Sequence, residues 1–229
     1  MTKLLTINFP GQPPLIPSVD VCFYTAMMKP GVHTALAEIV LKEKDFILEI
    51  SKQPDFIKSP VWLTGRYGSY NFLDLDYEEI RYLKDFVAEE YKNYMSAMGF
   101  ETAGSYIRMW ANELRFQHEI TWHTHFDAVS NTDIKPGPYP HVSGNIPIRT
   151  NNTQTYFKSS FTLGGGPKAQ RDIVGIDNID GECLFFPSWV NHKTAKNETT
   201  ISRITISFDI IPENVYLAKK DNEHFRKLT

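Results

Sequence analysis

The chain has 229 residues, 41% of them hydrophobic and 22% charged, with a formal net charge of −3. That is enough apolar material for one sizeable domain with its own core, and the proportions are those of a soluble globular protein. The slightly acidic balance lacks the basic footprint that nucleic acid or an anionic membrane would need, and no apolar run approaches the roughly 18 residues that span a bilayer.

The first 17 residues include Pro10, Pro13, Pro14 and Pro17 and lack the apolar core of a signal peptide, so a cytoplasmic protein is expected. Cys22 and Cys183 lie far apart with no metal or redox spacing, and are expected as buried reduced thiols. The sequons at Asn151 and Asn197 are expected to be chance matches. From Thr34 to Gln53, apolar residues recur at Leu36, Ile39, Val40, Phe46, Ile47 and Ile50, a helical spacing. A longer helix follows. Ile80, Leu83, Phe86, Val87, Tyr91, Tyr94, Met95 and Met98 form its stripe, acidic and basic residues take the other face, and Gly99 is placed to cap it.

From Ser105 the chain becomes strand-like. β-branched and aromatic residues broken by Gly, Pro, Asn and Asp predict strands near 104–111, 114–126, 141–149, 153–163, 171–176, 182–187 and 202–211. The expected fold class is α+β, mainly β: a sandwich or barrel with the N-terminal helices packed on one sheet. One domain over 1–229 is expected, with a helix-rich part to 100, a β core over 101–215 and a polar tail over 216–229. Ser130 to Pro140, rich in Pro and Gly, is a candidate lid.

Three stretches carry chemistry. In Trp122-His123-Thr124-His125-Phe126-Asp127, a strand would put His123, His125 and Asp127 on one face, a costly choice for a core and an unnecessary one for a surface. In Phe186-Pro187-Ser188-Trp189-Val190-Asn191-His192, an apolar strand turns and delivers a histidine. In Arg203-Ile204-Thr205-Ile206-Ser207-Phe208-Asp209-Ile210, strict alternation gives one polar and one apolar face; the apolar face is expected to meet the helices and the polar face to line a pocket. Two histidines and a carboxylate bound facially leave positions open on Fe(II) for a 2-oxo acid and dioxygen. An arginine fork suits the far carboxylate of that acid, and Arg203 comes 11 residues after His192 with Thr205 beside it. Other patterns fail: His118 and His123 are five residues apart in a strand-like segment, which no zinc-protease helix allows. Gly164-Gly165-Gly166-Pro167-Lys168 lacks Walker spacing and reads as a turn, and no nucleophile elbow is present.

Together with Asn71-Phe72-Leu73-Asp74, Met109-Trp110-Ala111-Asn112 and Ser143-Gly144-Asn145, these stretches resemble the Fe(II)- and 2-oxoglutarate-dependent oxygenases. The similarity is greatest to the small 2-oxoglutarate-Fe(II) oxygenases of bacteria and phages, over about 60% of the chain. The resemblance implies a double-stranded β-helix (jelly roll), with Fe(II) and 2-oxoglutarate as cofactors and O2 as cosubstrate. By similarity, His125, Asp127 and His192 would hold the iron, and Arg203 with Thr205 the 2-oxoglutarate. That branch often carries His-x-His where the wider superfamily carries His-x-Asp, and the two patterns overlap here. His125 with Asp127 is preferred because a carboxylate offsets the metal charge, and His123 is the alternate ligand. The expected activity is hydroxylation of a protein, peptide or small molecule, in a host cytoplasm if the gene is phage-borne. The competing reading is a non-oxidative cupin-like metal-binding module or a phage structural protein, which would have no need of Arg203 beside the third ligand.

Overall fold

The computed structural model describes residues 2–9, 18–50, 62–64, 70–102, 104–125, 141–158, 173–218 and 223–229. Two sheets face each other. The larger, eight-stranded and antiparallel, has the order β1 (Thr2–Phe9), β2 (Val19–Met27), β8 (Glu182–Pro187), β5 (Val142–Arg149), β10 (Arg203–Pro212), β4 (Ser105–Leu114) and β11 (Arg226–Lys227), with β3 (Trp62–Thr64) also on β4. The smaller has the order β7 (Ile173–Asp177), β6 (Gln154–Lys158), β9 (Asn191–Thr194). This is the expected jelly roll.

Period-2 alternation assigns each face. On β10, Ile204, Ile206, Phe208 and Ile210 are fully buried in the layer between the large sheet and the helices, together with Phe185 of β8 and Ile107 and Met109 of β4. Helix α3 (Glu78–Ala97) supplies Ile80, Leu83, Val87, Tyr94 and Met95 to that layer, the stripe read from the sequence. It ends as expected: Gly99 takes φ 77, its N–H bonds Ser96 O, and the Phe100 N–H bonds Met95 O, a Schellman closure. Helices α1 (Val32–Lys42) and α2 (Lys44–Ile50) divide the first predicted helix at Glu43. On the other side of the large sheet, Phe9, Val21, Phe23, Leu184 and Phe186 meet Phe157 of the small sheet. The rings of Phe157 stand edge-on to Phe23 at 4.8 Å and to Phe186 at 5.1 Å, closing one end of the barrel. Gly144 is required where β5 passes β8 and β10, since a Cβ there would lie 2.2 Å from Phe208 Cζ and 2.5 Å from Leu184 O.

Several expectations need correction. The strand expected over 114–126 does not form among its described residues. β4 runs unbroken to Leu114, Gln117 then adopts φ 66 in a turn, and residues 115–125 carry a single bridge, His123 to His192. The left-handed residue turns the chain off the large sheet toward the small one. The first hundred residues hold β1, β2 and β3 besides helices. The stretch read as a polar tail contains α4 (Glu213–Ala218) in part and returns to β4 through β11, burying Phe225 and Leu228. Both cysteines are free thiols, but only Cys183 is buried. Asn197 is fully buried, with its amide spent on Leu114 O and Ile201 O, so it offers no glycosylation acceptor. The candidate lid, Gly164 to Lys168 and Asp127 lie outside the described residues.

Candidate metal centre and dicarboxylate pocket

The segment 120–125 is laced to β9, an edge strand of the small sheet, and to the turn before it. The His123 N–H bonds His192 O at 3.0 Å and the His192 N–H bonds His123 O at 2.9 Å. The His125 N–H bonds Ser188 O, and the Thr194 N–H bonds Ile120 O. This pairing sets His123 directly across from His192 and puts His125 one step further along. One ring nitrogen from each of His123, His125 and His192 lies within 4.8 Å of the others. Among the described residues, these three form the cluster suited to a metal ion.

Each imidazole is oriented through Nδ1. His123 Nδ1 meets Thr121 O at 2.8 Å and His192 Nδ1 meets Val190 O at 3.0 Å. His125 Nδ1 meets Asp209 Oδ1 at 2.6 Å and Ser143 Oγ at 3.1 Å. Acceptor oxygens at Nδ1 fix the hydrogen there and leave each Nε2 lone pair for a ligand, the arrangement of histidines built to bind metal. Burial, with His123 and His125 adjacent, holds His192 well below the usual imidazole pKa, so it is neutral and ready to coordinate.

The three rings line a cavity of about 230 Å³ between the sheets. Its floor is the polar face of β10, as alternation foresaw, and includes Arg203, Thr205 and Ser207. Arg203 is 1% exposed, and among the described residues its Nε and Nη2 have no hydrogen-bond partner; Nη1 reaches Ala195 O at 3.5 Å. Burial lowers its pKa to about 10. A buried guanidinium with an empty fork costs several kcal/mol unless an anion completes it, and a carboxylate is the group whose geometry matches that fork. Thr205 lies two residues along the same face, with Asn112 opposite it on β4. Asn112 Nδ2 donates to Ser207 Oγ at 3.0 Å. The pocket therefore fits a metal ion at one end and the far carboxylate of a short diacid at the other.

His123, His125, His192, Arg203 and Thr205 are thus brought together. The sequence reading did not single out Asn112, Asn145, Thr155 or Asp209 as site residues. Asp209 was visible as the next polar position of β10 after Ser207, and Asn145 as the second residue after Ser143 on β5; position on the inward face was the available signal.

Residues 108–209 match the family model described as "Putative 2OG-Fe(II) oxygenase". No curated protein matches the sequence. Among solved structures, the chain is similar to the non-heme alpha-ketoglutarate-dependent epimerase SnoN from nogalamycin biosynthesis (TM-score 0.57, 10% identity, 83% of this chain and 77% of that one). It is also similar to HygX from Streptomyces hygroscopicus, solved with nickel, 2-oxoglutarate and hygromycin B (TM-score 0.55, 9% identity, 83% of each chain). A third is a Pseudomonas putida prolyl-4-hydroxylase (TM-score 0.51, 10% identity, 83% of this chain and 92% of that one). At these identities the structural likeness speaks for the fold, and the family match speaks for the chemistry.

Proposed function

We propose that this chain, whose residues 108–209 match the 2-oxoglutarate-Fe(II) oxygenase family model, is a hydroxylase whose iron is held by His123, His125 and His192 and whose 2-oxoglutarate is held by Arg203 and Thr205. The observation that carries this reading is the unpaired, buried Arg203 fork in the same pocket as the three converging imidazoles. A cupin-like metal-binding module would gain nothing from that fork. Asp127, the carboxylate expected from the sequence, lies outside the described residues, and His123 fills the first-strand place beside His125.

Within that assignment the chain's own residues have separable tasks. His123 and His192, opposite each other across a backbone pair, hold two ligand nitrogens on a rigid frame. His125 supplies the third from the segment tied to Ser188. Together the three imidazoles would hold Fe(II), the metal at which 2-oxoglutarate and dioxygen would react. Arg203 receives the distal carboxylate through two parallel N–H donors and Thr205 adds a hydroxyl, which fixes the length and direction of the diacid. Iron held there would supply oxidative chemistry in which 2-oxoglutarate and O2 give succinate and CO2, one oxygen atom entering succinate and the other converting a substrate C–H to C–OH. Trp110, 5.6 Å from the His125 ring, and Leu114, opposite Arg203, keep bulk water from the two ends of the pocket. The substrate is a protein, peptide or small molecule that approaches over the histidine rim.

The test begins with anaerobic protein, Fe(II) and 2-oxoglutarate, watching for the weak visible charge-transfer band of the chelate. Air should then yield succinate without added substrate. His192→Ala should lose both signals. Absence of band and succinate from the wild-type protein would falsify the reading.

A further inference from the structure

We propose that Asp209 is a positioning residue for the metal centre, returning through His125 the negative charge that a set of three neutral imidazoles lacks. The inference rests on the proposed ligand set of His123, His125 and His192. Asp209 is 2% exposed on the inward face of β10, and Ser143, directly opposite it on β5, is fully buried. Its Oδ1 accepts from Ser143 Oγ at 2.6 Å and from His125 Nδ1 at 2.6 Å. His141 Nε2 stands 3.9 Å from the same oxygen.

The three imidazoles are not treated alike. Backbone carbonyls, Thr121 O and Val190 O, orient His123 and His192. Neutral oxygens are therefore sufficient to fix ring and tautomer, and a buried carboxylate is far more costly to install. Its additional effect is charge. A facial set of two histidines and one carboxylate brings one negative charge to the metal; His123, His125 and His192 bring none. A carboxylate accepting from Nδ1–H makes the imidazole more electron-rich at Nε2 and a stronger ligand. Asp209 thus places the missing anion one hydrogen bond behind the coordinating atom, while Ser143 holds the carboxylate in line with the ring.

Asp209→Asn keeps the shape and an acceptor for Nδ1–H but removes the charge. Zn(II) affinity of the metal-free protein, measured by competition with a chelating dye, should fall about ten- to hundredfold. The Fe(II)–2-oxoglutarate band of the variant should move to shorter wavelength, because a less electron-rich metal gives up an electron less readily. A purely architectural role for Asp209 would lower the melting temperature and leave that band in place. Wild-type affinity together with an unmoved band in Asp209→Asn overturns the proposal. Should that variant not fold, the 15N-labelled wild-type protein with Zn(II) decides: a far-downfield Nδ1–H proton assigned to His125 supports the proposal, and its absence overturns it. A wild-type protein that binds neither Zn(II) nor the Fe(II) chelate instead overturns the ligand assignment, and the role of Asp209 with it.

Discussion

Arg203 shows most sharply how function and stability oppose each other within one side chain. Its fork is buried, with Nε and Nη2 unpartnered among the described residues, a cost that the diacid would relieve under the proposed assignment. Replacement by Met should therefore stabilise the ligand-free protein, by roughly 1–4 kcal/mol. The same change should weaken 2-oxoglutarate binding about 10- to 150-fold, the loss of charge-assisted hydrogen bonds. Zn(II) affinity should stay near the wild-type value. Urea unfolding and calorimetric titration of the Zn(II)-loaded protein check the two halves, and a destabilised Arg203→Met would contradict the first. Arg203, Thr205 and His192 were legible in the sequence because β10 alternates strictly and a strand end delivers the histidine. The choice between His123 and Asp127 was not legible in the same way. Same-face reasoning assumes a continuous strand, and residues 115–125 form a turn and one bridge, so period 2 has no authority there.

At the scale of elements, the helices are held to the sheet by more than their apolar stripes. Lys44, opening α2, pairs with the nearly buried Glu113 of β4. Burial pushes the Glu113 carboxyl up, but hydrogen bonding and charge from Lys44, aided by Ser202 and Arg115, outweigh it and leave the pKa below the ordinary value. A depressed folded pKa means that the pair's stabilisation is present above the unfolded carboxylate range and is lost as pH falls through the folded value. Glu113→Gln should thus cost about 1–2 kcal/mol near neutrality, a figure reduced because Lys44 is partly solvated. The gap from wild type should close in acid; urea midpoints at neutral and acidic pH measure it, and a gap that widens in acid contradicts the assignment. Helix α3 was readable because its stripe is long and its cap is a glycine. β9 was not, since four residues, Asn191 to Thr194, carry too little pattern. β1 and β2 do alternate, at Leu5, Ile7 and Phe9 and at Val21 and Phe23, but they were hidden within a segment whose strongest periodic signal was helical.

At the scale of the whole molecule, the two sheets enclose a site that only the folded chain assembles, since its residues come from β4, β5, β6, β8, β9, β10 and the segment 120–125. Ligands that bind such a site stabilise the fold by mass action. Zn(II) with 2-oxoglutarate at a hundred times their dissociation constants should each contribute about 2.7 kcal/mol. Scanning calorimetry should show the melting temperature rising with Zn(II) alone and further with both, and His192→Ala should erase both increments. A rise with 2-oxoglutarate alone equal to that with both would separate the diacid pocket from the metal. No described helix is long and apolar enough to cross a membrane. The two-sided character of β10 has one more consequence. Because Ile204, Ile206 and Phe208 press on the helix layer while Arg203, Thr205 and Ser207 line the pocket and Asp209 bonds His125 behind it, a shift of that strand by a fraction of an ångström moves packing and chemistry together. Genetic variation on α1 and α3, far from any ligand, would then surface as altered cosubstrate demand. A selection for faster turnover would recover suppressor mutations in the helices as readily as at the pocket wall.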